Sequence, residues 1–173
     1  VTDLKYALKV EELGADAVIA VNSVAGGHAG NITPEELIPM LKKELSIPII
    51  SAGGVSNSDD IKRMIDLGAS AVSVGTIFIA SEEAGVSDDY KNALVQYGEK
   101  DIVRTTKMSG SALTVINTPY VQTIGTEASF LEKLMHRNKW LKKYIKMFIA
   151  VRGLNKISNA ANKATYKTVW VAG

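Results

Sequence analysis

Three glycine-rich segments hold the residues best suited to chemistry. The first is Ala25-Gly26-Gly27-His28-Ala29-Gly30-Asn31. An imidazole titrates near neutrality, so one carried on a glycine loop can take or give a proton. The second, Gly53-Gly54, and the third, Gly75-Thr76, each follow a short apolar run and precede helical sequence. Glycine lets a backbone approach an anion closely, and a helix N-terminus offers N–H groups without partners. Two such turns in succession point to a phosphate cup, although tight-turn geometry alone would explain glycine at either one. The other histidine, His136, stands beside Arg137 and Lys139 on a stretch that reads as surface helix. No second histidine or carboxylate lies at ligand spacing from His28, so no metal site is expected. The chain has no cysteine, which excludes disulfides, thiolate metal sites, iron–sulfur clusters and cysteine nucleophiles. A nucleophile elbow, a P-loop and a dinucleotide fingerprint are all lacking.

The elements that must position these loops alternate in type. Leu4, Ala7 and Leu8 lie at helical spacing, and Gly14 follows where a left-handed C-cap belongs. Ala15–Val21 then reads as a strand buried on both faces. Thr33-Pro34-Glu35-Glu36 predicts a helix start, with Thr33 as cap, Pro34 at the first position and Glu36 completing a capping box. That helix should run to about Leu45. Ile47–Ala52 reads as a second buried strand, with Pro48 accepted near its start. A helix capped from Ser56-Asn57-Ser58 and led by Asp59 and Asp60 should end at Gly68. Ala71–Val74 is the third expected strand. The run Leu13-Gly14-Ala15-Asp16-Ala17-Val18 is echoed by Leu67-Gly68-Ala69-Ser70-Ala71-Val72. Helix, glycine, buried strand and glycine loop recur three times, which predicts parallel strands in an α/β barrel or a doubly wound sheet. In either, function gathers at the C-terminal ends of the strands, where all three glycine segments fall. Beyond Phe78 the pattern changes to surface helix and loop. Strand-like stretches follow at Met108–Ser111 and Thr114–Pro119, then a basic amphipathic stretch from Phe130 to Val151.

The 173 residues carry a formal charge of +2, which argues for neither nucleic acid nor an acidic membrane as partner. No apolar run reaches the length of a membrane span, and a cytoplasmic setting is expected. The lysine-rich helical stretch reads as a helix or helix pair with a solvated face rather than a membrane binder. Val1 leads almost directly into helix, and the chain stops in an apolar run, Val169–Gly173. Both read as cuts through a larger protein, so a missing N-terminal half is expected. Without it the strands would expose open edges, and the segment alone should not melt cooperatively.

The run Ala25-Gly26-Gly27-His28-Ala29-Gly30 resembles the A-G-G-H-x-G motif of nitronate monooxygenases, formerly 2-nitropropane dioxygenases, which is shared with flavin-dependent enoyl-acyl-carrier-protein reductases. Ile49–Val55 looks like the seventh strand and loop of their (β/α)8 barrel, and Ala71–Phe78 like the eighth, ending in G-T-x-F. The resemblance continues through Thr114–Pro119 to Thr168–Gly173. It implies a partial TIM barrel, strands six to eight with flanking helices, over residues 1–82. A C-terminal helical or irregular extension would occupy 83–173, mostly helical from 127. It also implies non-covalent FMN. Gly53, Gly54, Gly75 and Thr76 would hold the phosphate through backbone N–H groups and the threonine hydroxyl. Ser51 and Ala52 would line the flavin side, Gly27 would join the cofactor site, and His28 would face the substrate as catalytic base. The implied reaction oxidises a nitronate or nitroalkane with oxygen to a carbonyl compound and nitrite.

The sequence departs from this pattern just before the histidine loop. Relatives usually carry Gln-Gly-x-Glu where this chain has Val21-Asn22-Ser23-Val24, so two polar residues are replaced by valine. The flavin cradle is thereby better supported than nitroalkane specificity. Flavin-dependent enoyl-acyl-carrier-protein reduction with NAD(P)H is an alternative enzyme reading, and a non-catalytic FMN- or phosphate-binding barrel is another. A homodimer is among the assemblies left open.

Overall fold

A computed structural model describes residues 1–107, 111–127 and 168–173. Its first part is three helix–strand units. Helix α1 (Leu4–Glu12) is capped by Asp3, whose carboxylate accepts from Tyr6 N at 3.0 Å, and it leads through Gly14 (φ 87°) into β1 (Val18–Val21). Helix α2 (Pro34–Glu44) precedes β2 (Ile49–Ala52), and α3 (Ser58–Asp66) precedes β3 (Ala71–Ser73). The strands are parallel in the order β1-β2-β3, with Val21 opposite Ala52 and Ala52 opposite Ser73.

Strand alternation divides the side chains between two faces. Val18, Ala20 and Ile49 pack with Ala7, Leu37 and Leu41 of the helices. Ile38 of α2 joins Met64 of α3 in the adjoining cluster, so all three helices cover one face. Each large aliphatic chain buried there contributes roughly 1.5–3 kcal/mol. On the other face Ile19 is 50% exposed, and Ala71 and Ser73 are exposed. Sequential parallel strands with helices on one side have the winding of a barrel wall; a doubly wound sheet carries helices on both.

The helix starts are set differently from one another. Asn57 caps α3 as expected, its Oδ1 accepting from Asp59 N (2.9 Å) and Asp60 N (3.0 Å). The expected capping box at α2 does not form. Thr33 occupies the cap position, but its side chain makes no capping bond. Its backbone carbonyl takes the N–H groups of Glu36 and Leu37 instead (3.2 and 2.8 Å), leaving the hydroxyl nothing to satisfy there.

Glu11 ties α1 to the turn before β2. Its Oε1 accepts from Ser46 Oγ (2.7 Å), Ser46 N (2.7 Å) and Ile47 N (3.2 Å). The Ser46 hydroxyl, then the backbone donors, hold the Glu11 carboxyl below its ordinary value. A depressed carboxyl contributes stability above its unfolded pKa, and that contribution disappears as pH falls through the folded one. We expect Ser46→Ala to raise the Glu11 pKa and to shift acid unfolding toward higher pH, read by NMR titration and pH-dependent melting. Unchanged titration would remove Glu11 from the acid response.

After β3 come the short α4 (Thr76–Ile79) and α5 (Asp88–Gln96). An antiparallel hairpin follows, β4 (Ile102–Thr105) with β5 (Leu113–Ile116), then α6 (Pro119–Ile124). The strands thus flank the expected Met108–Ser111 stretch, of which Met108, Ser109 and Gly110 lie outside the described residues. The basic stretch 130–151, and with it His136, also lies outside them. Residues 168–173 return to the hairpin: Ile116 N donates to Trp170 O (2.9 Å), and Val171 bridges Val115. Trp170 stacks on Tyr90 at 5.6 Å between ring centroids. Burial pushes the Tyr90 phenol above its ordinary value, so it stays protonated and donates to Val171 O. No described helix is long and apolar enough to cross a membrane.

Candidate active site

The loops leaving β1, β2 and β3 enclose a cleft of about 370 Å³ at the C-terminal ends of the strands, within the ~300–1,000 Å³ range of small-ligand sites. Its lining brings together six of the residues singled out by sequence: His28, Ala52, Gly53, Gly54, Gly75 and Thr76. His28 is exposed, makes no hydrogen bond to any described residue, and carries the only ionisable side chain among those lining residues. Gly75 also faces open space: a Cβ built there meets nothing within 4 Å. The N–H groups of Gly54, Gly75 and Thr76 donate to no described residue. Those of Gly75 and Thr76 are cap and first-turn donors of α4, which a helix cannot satisfy internally. The cleft therefore offers backbone donors, no side-chain carboxylate, and one imidazole at its rim.

Two expected residues are placed elsewhere. Ser51 is fully buried on the helix-covered face with Ile49. Side chains alternate along a strand, so its neighbour Ala52 lines the cleft and Ser51 cannot. Its Oγ has no hydrogen-bond partner. Gly27 turns out of the cleft lining (φ 75°) and pairs with the hairpin, accepting from Thr114 N (2.7 Å) and donating to Thr114 O (3.1 Å). Thr76 lines the cleft, but its hydroxyl is engaged: it donates to Gly173 O (2.9 Å) and accepts from Gly173 N (3.3 Å). Of the Thr76 donors, the main-chain N–H is the one without a described acceptor.

The turn after β2 is the tightest point. Gly53 has φ 108°, and a Cβ there would lie 2.5 Å from Ala25 Cα and 2.6 Å from Asn22 Oδ1. Asn22, to which the sequence alone assigned no role, is completely buried and bonds across to Gly53 O (3.0 Å). A lone amide at the end of an apolar strand run was the available signal, because a buried amide needs partners. Val24 is 41% exposed and its side chain leans on Gly54, while Val21 lines the cleft. The two valines thus add apolar surface to the loop and to the cleft.

A larger groove of about 680 Å³ shares Gly54, Thr76 and Gly173 with the cleft but does not include His28. Its Arg63 is occupied by Glu35 (2.7 Å) and lies 3.8 Å from Asp60. His28 and Gly75 line the smaller cleft alone, while Gly54 and Thr76 line both.

Fold and site together define an α/β protein whose parallel sheet carries a cleft lined by backbone N–H groups without described acceptors and by one exposed imidazole. The nitronate monooxygenase family model matches residues 1–169, and the chain belongs to that family. A probable nitronate monooxygenase of Staphylococcus saprophyticus is 34% identical over 131 residues, covering 69% of this chain and 37% of the relative. The chain thus spans well under half the length of that relative. Among solved structures, FabK from Thermotoga maritima aligns with a TM-score of 0.69 at 32% identity, over 88% of this chain and 46% of that one. Nitroalkane oxidase from Streptomyces ansochromogenes aligns with a TM-score of 0.65 at 27% identity, over 83% and 45%.

Proposed function

We propose that this chain is strands six to eight of an FMN-dependent nitronate monooxygenase barrel, with residues 83–173 as an extension packed on its rim. The remaining strands come from sequence outside it, and a cytoplasmic setting suits the cysteine-free chain. The observation that carries the reading is one cleft holding both the His28 imidazole and the N–H groups of Gly54, Gly75 and Thr76, which donate to no described residue.

The residues fit a flavin phosphate. The open space at Gly75 admits an anion that a side chain would block, and no carboxylate side chain in the lining repels it. Bound FMN supplies the redox chemistry that no side chain here can supply. The chain's part is positional and acid–base. Gly54, Gly75 and Thr76 hold the phosphate, Ala52 keeps the sheet side of the pocket apolar, and a His28 nitrogen takes the proton from the carbon beside the nitro group. Oxygen and a nitronate or nitroalkane are the co-substrates. The Gly26-Gly27-His28-Ala29-Gly30 run, which resembles a motif that both families share, also supports a second reading: reduction of an enoyl thioester with NAD(P)H.

The deciding experiment uses the full-length protein. We expect it to purify with a flavin spectrum and to take up oxygen with propyl nitronate. NADH oxidation with a crotonyl thioester, without nitronate-dependent uptake, would move the assignment to the reductase. A colourless protein that binds no FMN would reject both.

A further inference from the structure

Asn22 uses both ends of its amide at the junction of two cleft loops. Nδ2 donates to Gly53 O (3.0 Å), and Oδ1 accepts from Val24 N (3.0 Å). The second bond is an Asx turn that starts the histidine loop. The main chain of Asn22 adds to this, donating to Ala52 O (3.2 Å) and accepting from Gly30 N (3.0 Å), which closes the base of that loop. Gly53 lies so close to Ala25 and Asn22 that a Cβ there would stand 2.5 Å from Ala25 N and 2.6 Å from Asn22 Oδ1, so the two loops meet here with space for glycine alone. Asn22 is completely buried and both bonds of its amide are at least partly buried, so water cannot readily replace a lost bond.

We propose that Asn22 is a positioning residue that fixes the His28 loop against the Gly53–Gly54 turn, setting where the base stands relative to the bound phosphate. This rests on the FMN reading above. Asn22→Ala leaves both Gly53 O and Val24 N without partners. Asn22→Asp keeps an acceptor for Val24 N but sets a carboxylate against Gly53 O, so it separates the two halves of the clamp.

The test measures FMN affinity and amide hydrogen exchange in the full-length protein. Both variants should weaken FMN binding by about tenfold or more. In flavin-free protein, Val24 N–H exchange should accelerate in Asn22→Ala and stay slow in Asn22→Asp. A purely structural role predicts lower melting temperatures with wild-type FMN affinity in whatever protein remains folded, and that result would overturn the proposal. So would fast Val24 exchange in the unmutated protein, a measurement that needs no variant to fold. If unmutated protein binds no FMN, the functional reading fails, while slow Val24 exchange still reports an intact clamp.

Discussion

Replacing His28 with alanine lowers turnover of a neutral nitroalkane by about 10²–10⁴-fold while flavin content stays unchanged. The imidazole is exposed at the rim and supports no neighbour through a hydrogen bond, so its removal should not disturb the fold. Among the described lining residues, no other side chain is an imidazole, carboxylate or amine that could take a proton in its place. The informative comparison is between two forms of one substrate. A nitroalkane must lose its α-proton, whereas a preformed nitronate has already lost it. If His28 acts as the base, the variant should retain most activity toward the nitronate. Equal losses toward both would recast His28 as an electrostatic or binding group. Unchanged kcat/KM toward both would remove it from the reaction.

The second large effect separates two glycines that look alike in sequence. Gly53→Ala should destabilise the protein by about 2–5 kcal/mol, combining left-handed backbone strain with a methyl forced onto backbone. The added Cβ would lie 2.5 Å from both Ala25 N and Ala25 Cα, main-chain atoms fixed by the Asn22 clamp. In the full-length protein the melting temperature should drop by several degrees. Gly75→Ala has neither problem, since its φ is −126° and a Cβ there meets nothing within 4 Å. Its melting temperature should match the unmutated protein. The methyl would instead stand in the open cleft before the α4 donors, weakening FMN by about tenfold or more. Thermal melting with flavin titration reads both. Normal FMN affinity in Gly75→Ala would place the phosphate elsewhere.

The three helix–strand units were legible because each feature rests on local chemistry. Gly14 and Gly68 adopt the positive φ their positions imply, and Asn57 caps as its type and place suggest. Thr33 shows where local reading stops. Its type and spacing fit a capping box, but the choice between its hydroxyl and its carbonyl is made by backbone geometry that no spacing rule contains. Ser51 was a different matter, since alternation alone places Ser51 and Ala52 on opposite faces and only one can meet the cleft. The site was legible where glycine and histidine advertised it. The Asn22 clamp and the Thr76–Gly173 contact were not, because each joins segments that periodicity cannot relate.

The Thr76–Gly173 contact bears on the order in which the molecule assembles. It joins residues 97 apart in sequence, whereas β1 and β2 meet through one intervening helix. Loop-closure entropy grows only slowly, by about 0.6 kcal/mol per doubling of length, yet it must be met before a distant contact gives anything back. The sheet and its helices can therefore form first, with Val171 and Gly173 docking onto a rim that already exists. During refolding, far-ultraviolet ellipticity would recover ahead of flavin fluorescence quenching, the competent pocket being the last part of the structure to arrive.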